Sequence, residues 1–197
     1  MHQIIVFFVA NYAANTVAIY NLTTLAFVTN VSGTFSDPYA VTIDAPNNRF
    51  FVTNAAANTV DIYNLTTLAF VANVSGTFSS PRRVTIDAPN NRFFVANYAA
   101  NTVAIYNLTT LSFVTNVSGT FSNPNAVTID APNNRFFVTN YATNTVAIYN
   151  LTTLAFVANV SGTFSTPIAV TIDAPNNRFF VTNAAANTVA IYNFNYR

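Results

Sequence analysis

The chain contains no cysteine, no lysine and no glutamate, and its acidic residues are all aspartate. Without cysteine there is neither a disulfide framework nor a thiolate metal site. His2 is the only histidine and lies in the irregular first residues, so the usual carriers of catalytic proton transfer are missing. No hydrolase or lyase is expected, and no Gly-rich phosphate loop, paired-carboxylate motif or nucleophile elbow is present. Charged residues make up 7% of the chain, the formal charge is +1, and the one basic cluster is Arg82-Arg83. That is too little positive charge for a phosphate backbone or an anionic membrane, so nucleic acid is not an expected partner. The longest apolar run, "IIVFFVA" at residues 4–10, is far short of the roughly 20 residues that span a bilayer. It has no Lys/Arg segment before it and its second half belongs to the repeat described next, so it is expected to be a strand rather than a secretory leader.

What the chain does contain is repetition. Apolar residues make up 52% of 197 residues, ample for a core. "VTIDAPNNRFFVTN" begins at Val41 and returns with at most one change at Val84, Val127 and Val170, a period of 43 residues. Nearly everything from Phe7 to Asn193 falls into that register, as one domain spanning 1–197 with units of about 1–36, 37–79, 80–122, 123–165 and 166–197. The first complete unit holds four strand candidates rich in Val, Ile, Phe, Tyr and Thr: "AVTIDA" from Ala40, "RFFVTN" from Arg49, "NTVDIYN" from Asn58 and "LAFVANVSG" from Leu68. The connections "APNN", "AAAN", "NLTT" and "SGTFSDP" are short and carry turn chemistry. Four antiparallel strands repeated at this period predict an all-β propeller, with no helix longer than a single turn. A parallel β-solenoid is the rival, but its coils are usually shorter and lack hairpin turns.

"FFVTNYATNTVAIYNLTTLAFVANV", from Phe136, resembles the YVTN-family β-propeller repeat in its aromatic-Val-Thr-Asn strand, its Asn-Thr-Val strand and its Thr-rich turn. The resemblance covers essentially the whole chain. It implies a propeller and a general interaction module, often of surface-layer or other envelope proteins. The chain departs from the family in having "APNN" where an acidic-Gly turn is usual, and in having fewer than the seven blades common there.

The second and third strands occur five times, the first and fourth only four times. Five blades are therefore expected, the first lacking its innermost strand and the last its outermost. The alternative is four blades with a spare strand pair. Incomplete terminal blades leave edges that favour association between copies.

Asp44, Asp87, Asp130 and Asp173 recur just before "APNN". Each is expected to cap its turn or to pair with Arg49, Arg92, Arg135 or Arg178, in preference to a ring of carboxylates around a cation. No metal and no cofactor are expected. Asp61 replaces the alanine found at Ala18, Ala104, Ala147 and Ala190, and reads as drift at a partly wet strand, because no second residue in its unit changes to match it. Asn-X-Ser/Thr triplets recur at Asn21, Asn64, Asn107 and Asn150 and at Asn30, Asn73, Asn116 and Asn159. Together with a charge-poor surface they suit an extracellular or envelope location.

Two function classes remain: a non-enzymatic binding or structural module presenting one loop face to a protein or glycan, and a propeller lectin with an equivalent sugar pocket in each blade. The near-identical copies differ chiefly in the turn between strands two and three (Tyr12, Ala55, Tyr98, Tyr141, Ala184) and at the crossover to the next blade. Alternation of strand direction puts both on one face. Tyr39, Arg82, Arg83, Tyr98 and Tyr141 are the residues there most suited to anchor a ligand, and they are expected to form one asymmetric site.

Overall fold

The structure, a computed structural model, describes residues 6–194. The first sheet is β1 (Val6–Asn11), β2 (Thr16–Asn21) and β3 (Phe27–Val31), and the second is β4 (Pro38–Asp44), β5 (Arg49–Asn54), β6 (Thr59–Asn64) and β7 (Phe70–Val74). The third is β8 (Pro81–Asp87), β9 (Arg92–Asn97), β10 (Thr102–Asn107) and β11 (Phe113–Val117). The fourth is β12 (Pro124–Asp130), β13 (Arg135–Asn140), β14 (Thr145–Asn150) and β15 (Phe156–Val160). The fifth is β16 (Pro167–Asp173), β17 (Arg178–Asn183) and β18 (Thr188–Asn193). In each sheet the strands pair in chain order, as the blades of a five-bladed β-propeller. The expected five-blade reading holds, including the missing inner strand at one end and the missing outer strand at the other. The only helices among the described residues are single 3₁₀ turns at the first part of each "APNN". None is long and apolar enough to cross a membrane.

Each turn has a local cause. Pro46 starts the 3₁₀ turn, and Asn48 closes it at φ 51°, donating its N–H to the Ala45 carbonyl. Asparagine's short polar side chain tolerates this left-handed conformation better than a bulky one does. Between β6 and β7 the Asn64 side-chain oxygen accepts the N–H groups of Thr66 and Thr67, an Asx turn repeated at Asn21, Asn107 and Asn150. The fourth strand is shorter than the sequence suggests because Leu68 sits at φ 59° and cannot be part of it. The first strand is longer, because proline is tolerated as the first residue of a strand and β4 starts at Pro38.

Leucine is an odd occupant of a left-handed position, which costs a non-glycine residue about 1–2 kcal/mol. At Leu25 the side chain is 67% exposed, so it recovers little by burial. Leu25→Gly is expected to stabilise the protein by about 0.5–1 kcal/mol after glycine's own entropic cost, as a raised urea midpoint with unchanged slope.

The chain divides into two compact units, one ending at Val84 and one starting at Thr85. In the first, Val17, Ile19, Val31 and Phe35 pack on Phe50, Val52 and Tyr63 of the second sheet. In the second, Val103, Ile105, Val117 and Phe121 pack on Phe136, Val138 and Tyr149, and then Val146, Ile148 and Phe164 on Phe179, Val181 and Tyr192. One rule generates all three layers. The Val and Ile of a third strand meet the Phe and Val of the following second strand. Each buried side chain of this kind contributes about 1.5–3 kcal/mol. Within a sheet the second-strand Phe stacks on the third-strand Tyr, at centroid distances of 5.3 Å for Phe50–Tyr63 and 5.2 Å for Phe136–Tyr149. Hydroxyls stitch neighbouring first strands: Thr42 donates to the Val84 carbonyl, Thr85 to Val127 and Thr128 to Val170, at 2.6–2.7 Å. This explains why "VTID" keeps its threonine.

Candidate functional site

The loops of a blade separate into two hydrogen-bonded sets. On one side the β5–β6 turn is tied to the crossover before β4, with the Ala55 N–H on the Asp37 carbonyl at 3.0 Å and the Asp37 N–H on the Asn15 side chain at 2.8 Å. Tyr141 with Asn123 and Ala184 with Thr166 repeat the first bond. On the other side "APNN" is tied to "NLTT", through the Leu65 N–H on the Asn48 carbonyl and the Thr66 hydroxyl on the Asn48 side chain. Every loop position singled out above as variable lies in the first set.

The contrast has a physical reason. "APNN" and "NLTT" hold each other through side chains, so a change of residue breaks a bond. The crossover residues Asp37, Ser80, Asn123 and Thr166 are held by backbone at φ 48–53°, with their N–H groups on Asn15, Asn58, Asn101 and Asn144. No side-chain bond is common to all four: the Asn123 amide donates to the Tyr98 carbonyl and the Thr166 hydroxyl accepts the Ala185 N–H, so the position accommodates different side chains.

Tyr39, Arg82 and Arg83, expected at the crossover, lie instead within the first strands β4 and β8, because each strand starts at its proline, and the Tyr39 column coincides with β-bulges. The register of β4 on β5 shifts between Pro38 and Ala40, leaving Tyr39 as the extra residue, and the same shift isolates Asn125 in β12 and Ile168 in β16. Arg82 holds the equivalent position of β8. Bulges re-aim a side chain and recur beside functional sites. The Arg82 guanidinium carbon lies 4.4 Å from the Tyr39 ring centroid, a cation–π contact, and the Thr53 hydroxyl fixes the Arg82 carbonyl at 2.6 Å. Arg83 is half-buried and its Nε has no hydrogen-bond partner among the described residues. In the second unit Tyr98 and Tyr141 meet edge to face at 5.8 Å, and the Asn123 amide donates to the Tyr98 carbonyl. Four of the five anchors therefore form two local pairs, Tyr39 with Arg82 in one unit and Tyr98 with Tyr141 in the other, while Arg83 follows Arg82 in β8.

The repeated aspartates are committed elsewhere. Asp44 accepts Arg49 Nε at 2.8 Å and the Asn47 amide on both oxygens, and it does not cap the backbone of its turn. Of the two structural roles expected, pairing with arginine is the one observed. Asp87, Asp130 and Asp173 repeat it with Arg92, Arg135 and Arg178. The Asn176 amide, and after it Arg178, holds the Asp173 carboxyl below the ordinary aspartate range. No group of three or more His, Cys, Asp or Glu side chains that could hold a metal occurs among the described residues, and His2 lies outside them.

Asp61 corrects the sequence reading. It is 0% exposed rather than partly wet, and accepts bonds from the Thr34 hydroxyl, the Asn73 amide and the Thr59 hydroxyl. Each donor type is standard in the repeat, which is why no compensating change accompanies it. The Thr34 and Tyr63 hydroxyls also bond each other. Burial, and to a lesser degree Asp61, pushes the Tyr63 phenol up despite the opposing bond from Thr34.

An open cleft of about 380 Å³ in the second unit is lined by Asn116, Ser118, Thr120, Tyr149 and Phe156 among others, residue types carried by several repeats.

Fold and loops together define a β-propeller whose loops fall into a variable and a constant hydrogen-bonded set within each unit. No protein-family model matches the chain, and no curated protein does. Solved structures share the architecture: hydrazine synthase of Kuenenia stuttgartiensis (TM-score 0.80, 15% identity, 90% of this chain and 52% of that one) and a protein of Lactobacillus plantarum (0.81, 17%, 94% and 63%). The WD40 β-propeller domain of Doa1 is similar too (0.79, 13%, 97% and 61%). At these identities the likeness establishes fold alone. The chain spans 52–63% of the length of the three chains it resembles.

Proposed function

We propose that the chain is a non-enzymatic binding scaffold whose variable loop face engages a protein ligand. The observation that carries this reading is Arg82 of β8 laid over the bulge residue Tyr39 of β4, beside the half-buried Arg83. Two guanidinium groups and a phenol set against an otherwise charge-poor surface suit an acidic or carboxylate-bearing segment of a partner. Tyr98 and Tyr141 supply a second aromatic anchor. Support for an extracellular or envelope location comes from the same charge-poor surface, the Asn-X-Ser/Thr triplets and the resemblance to the YVTN repeat. Glycan binding in equivalent pockets is the alternative, favoured by the Asn116–Tyr149 cleft.

Selection from a random-peptide display library tests the reading. Peptides enriched on the protein are expected to contain Asp or Glu. They should lose about tenfold or more in affinity when Arg82 and Arg83 are both changed to Ala, with the melting temperature held. Peptides that bind the double variant equally well would remove this face from consideration. A glycan array showing several equal sites per chain would decide for the lectin.

A further inference from the structure

We propose that the chain cuts itself once, at the peptide bond between Asp37 and Pro38, with the Asp37 carboxyl as the nucleophile. The inference does not depend on the loop-face reading, because a single self-cleavage needs neither ligand nor partner. Asp37 is the one aspartate that directly precedes a proline. Asp44, Asp87, Asp130 and Asp173 are tied to arginines, and Asp61 is enclosed among hydroxyl and amide donors. Asp37 is half-buried in the crossover to β4, and its equivalents Ser80, Asn123 and Thr166 also precede prolines but carry no carboxyl.

The backbone at this bond is held in an unfavourable form. A proline ring pushes the residue before it towards extended φ of about −120°, yet Asp37 stands at φ 53°. Both sides of the bond are fixed, so it does not relax. The Asp37 N–H donates to Asn15 Oδ1 at 2.8 Å, the Asp37 carbonyl accepts the Ala55 N–H at 3.0 Å, and Pro38 is buried in register with Asn54. Strain that the surrounding structure maintains is a reservoir for chemistry at the strained bond. The Ala55 bond also polarises the scissile carbonyl, and it strengthens as that oxygen gains negative charge.

The step balances with water alone. The un-ionised Asp37 carboxyl attacks the Asp37 carbonyl carbon and closes a cyclic anhydride. Its proton passes to the Pro38 nitrogen, which is substituted twice by its ring and accepts a proton more readily than an N–H amide, and the C–N bond breaks. Water then opens the anhydride, leaving Asp37 as a new carboxyl terminus and Pro38 as a new amino terminus. Val17, Ile19, Val31 and Phe35 still pack on Phe50 and Val52, so the severed first sheet stays in place until the protein is denatured.

Incubation in mildly acidic buffer followed by denaturing mass spectrometry tests the proposal. The folded chain is expected to be cut between residues 37 and 38 about tenfold or more faster than the same chain unfolded in urea, because folding holds nucleophile and carbonyl together. Asp37→Ser, which copies the residue the chain already carries at Ser80, is expected to stay intact at that bond. Ser80 stands at φ 50° with its N–H on the Asn58 side chain, so Ser80→Asp is expected to acquire a second cut before Pro81. A folded chain that stays whole, or is cut no faster than the unfolded one, would overturn the proposal. So would cleavage of Asp37→Ser between the same residues, or a Ser80→Asp chain without the second cut.

Discussion

Replacing Asp61 by alanine is expected to stabilise the protein, by about 1–3 kcal/mol. Removing a hydrogen-bonded carboxylate from a folded core usually destabilises, so the sign needs its argument. Asp61 is 0% exposed, and its bonds come from neutral Thr34, Asn73 and Thr59, none of which repays the loss of water around a carboxylate as a cation would. The repeat itself shows what the site accepts. Ala104 and Ala147 fill the equivalent positions at 0% exposure. The threonine–tyrosine bond does not need the aspartate either, for Thr120 and Tyr149 make it beside Ala147. Alanine therefore leaves a packed site with its polar neighbours satisfied. Urea unfolding measures the gain, and Asp61→Asn should fall between the two. A second readout is the alkaline limb. The Tyr63 phenol is raised in the folded state, chiefly by burial and further by Asp61, so its contribution is complete below the unfolded value and is lost as pH rises through the folded one. Asp61→Ala brings the two values closer, and less stability is lost on the alkaline side. A lower urea midpoint in Asp61→Ala would show that the three hydrogen bonds outweigh the desolvation.

The strand count, the five sheets and the incomplete terminal blades were legible because one period controls turn chemistry and apolar content together. Phe50 and Val52 alternate with Phe51 and Thr53, and both faces are buried because each sheet packs on a neighbour. The division of loops into a variable and a constant set was also legible, since strand direction determines it. Side-chain partnership was not. Nothing in "SDPYAV" marks Tyr39 as a bulge residue, because a bulge is a mismatch between two strands and is written in neither alone. Asp61 misled for a related reason. Its partners Thr34 and Asn73 lie 27 and 12 residues away in positions that never vary, so no compensating change signals the contact. The anchor residues were found by their variation, but variation at Asp37 and its equivalents has a sufficient cause in the main-chain bonds that all four share, which no single sequence reveals.

Arg135→Ala is expected to destabilise the protein by about 3–5 kcal/mol, whereas the identical substitution at Arg178 should cause little measurable change. The two arginines occupy the same position of the same repeat and pair with aspartates at 3.0 and 2.8 Å. Sequence and pairing geometry are matched, so the difference lies in burial and in the ring beside Arg135. The Asp130 side chain is 0% exposed and that of Arg135 18%, against 22% and 40% for Asp173 and Arg178. Arg135 also stands 4.0 Å from the Phe194 ring centroid and 5.5 Å from that of Phe137, so its removal uncovers apolar surface as well. Its loss leaves Asp130 out of water with the Asn133 amide as its remaining side-chain donor among the described residues, the condition under which breaking a buried pair is most costly. At Asp173 water replaces what the arginine supplied. The acid limb separates them further. The Asp173 carboxyl is held low first by Asn176 and then by Arg178, so the stability it contributes is present above the unfolded aspartate value and disappears as pH falls through the folded one. Arg178→Ala therefore removes only the second of these causes and shifts the acid limb slightly upward in pH. Equal losses from the two substitutions in urea would show that these pairs act through something other than desolvation.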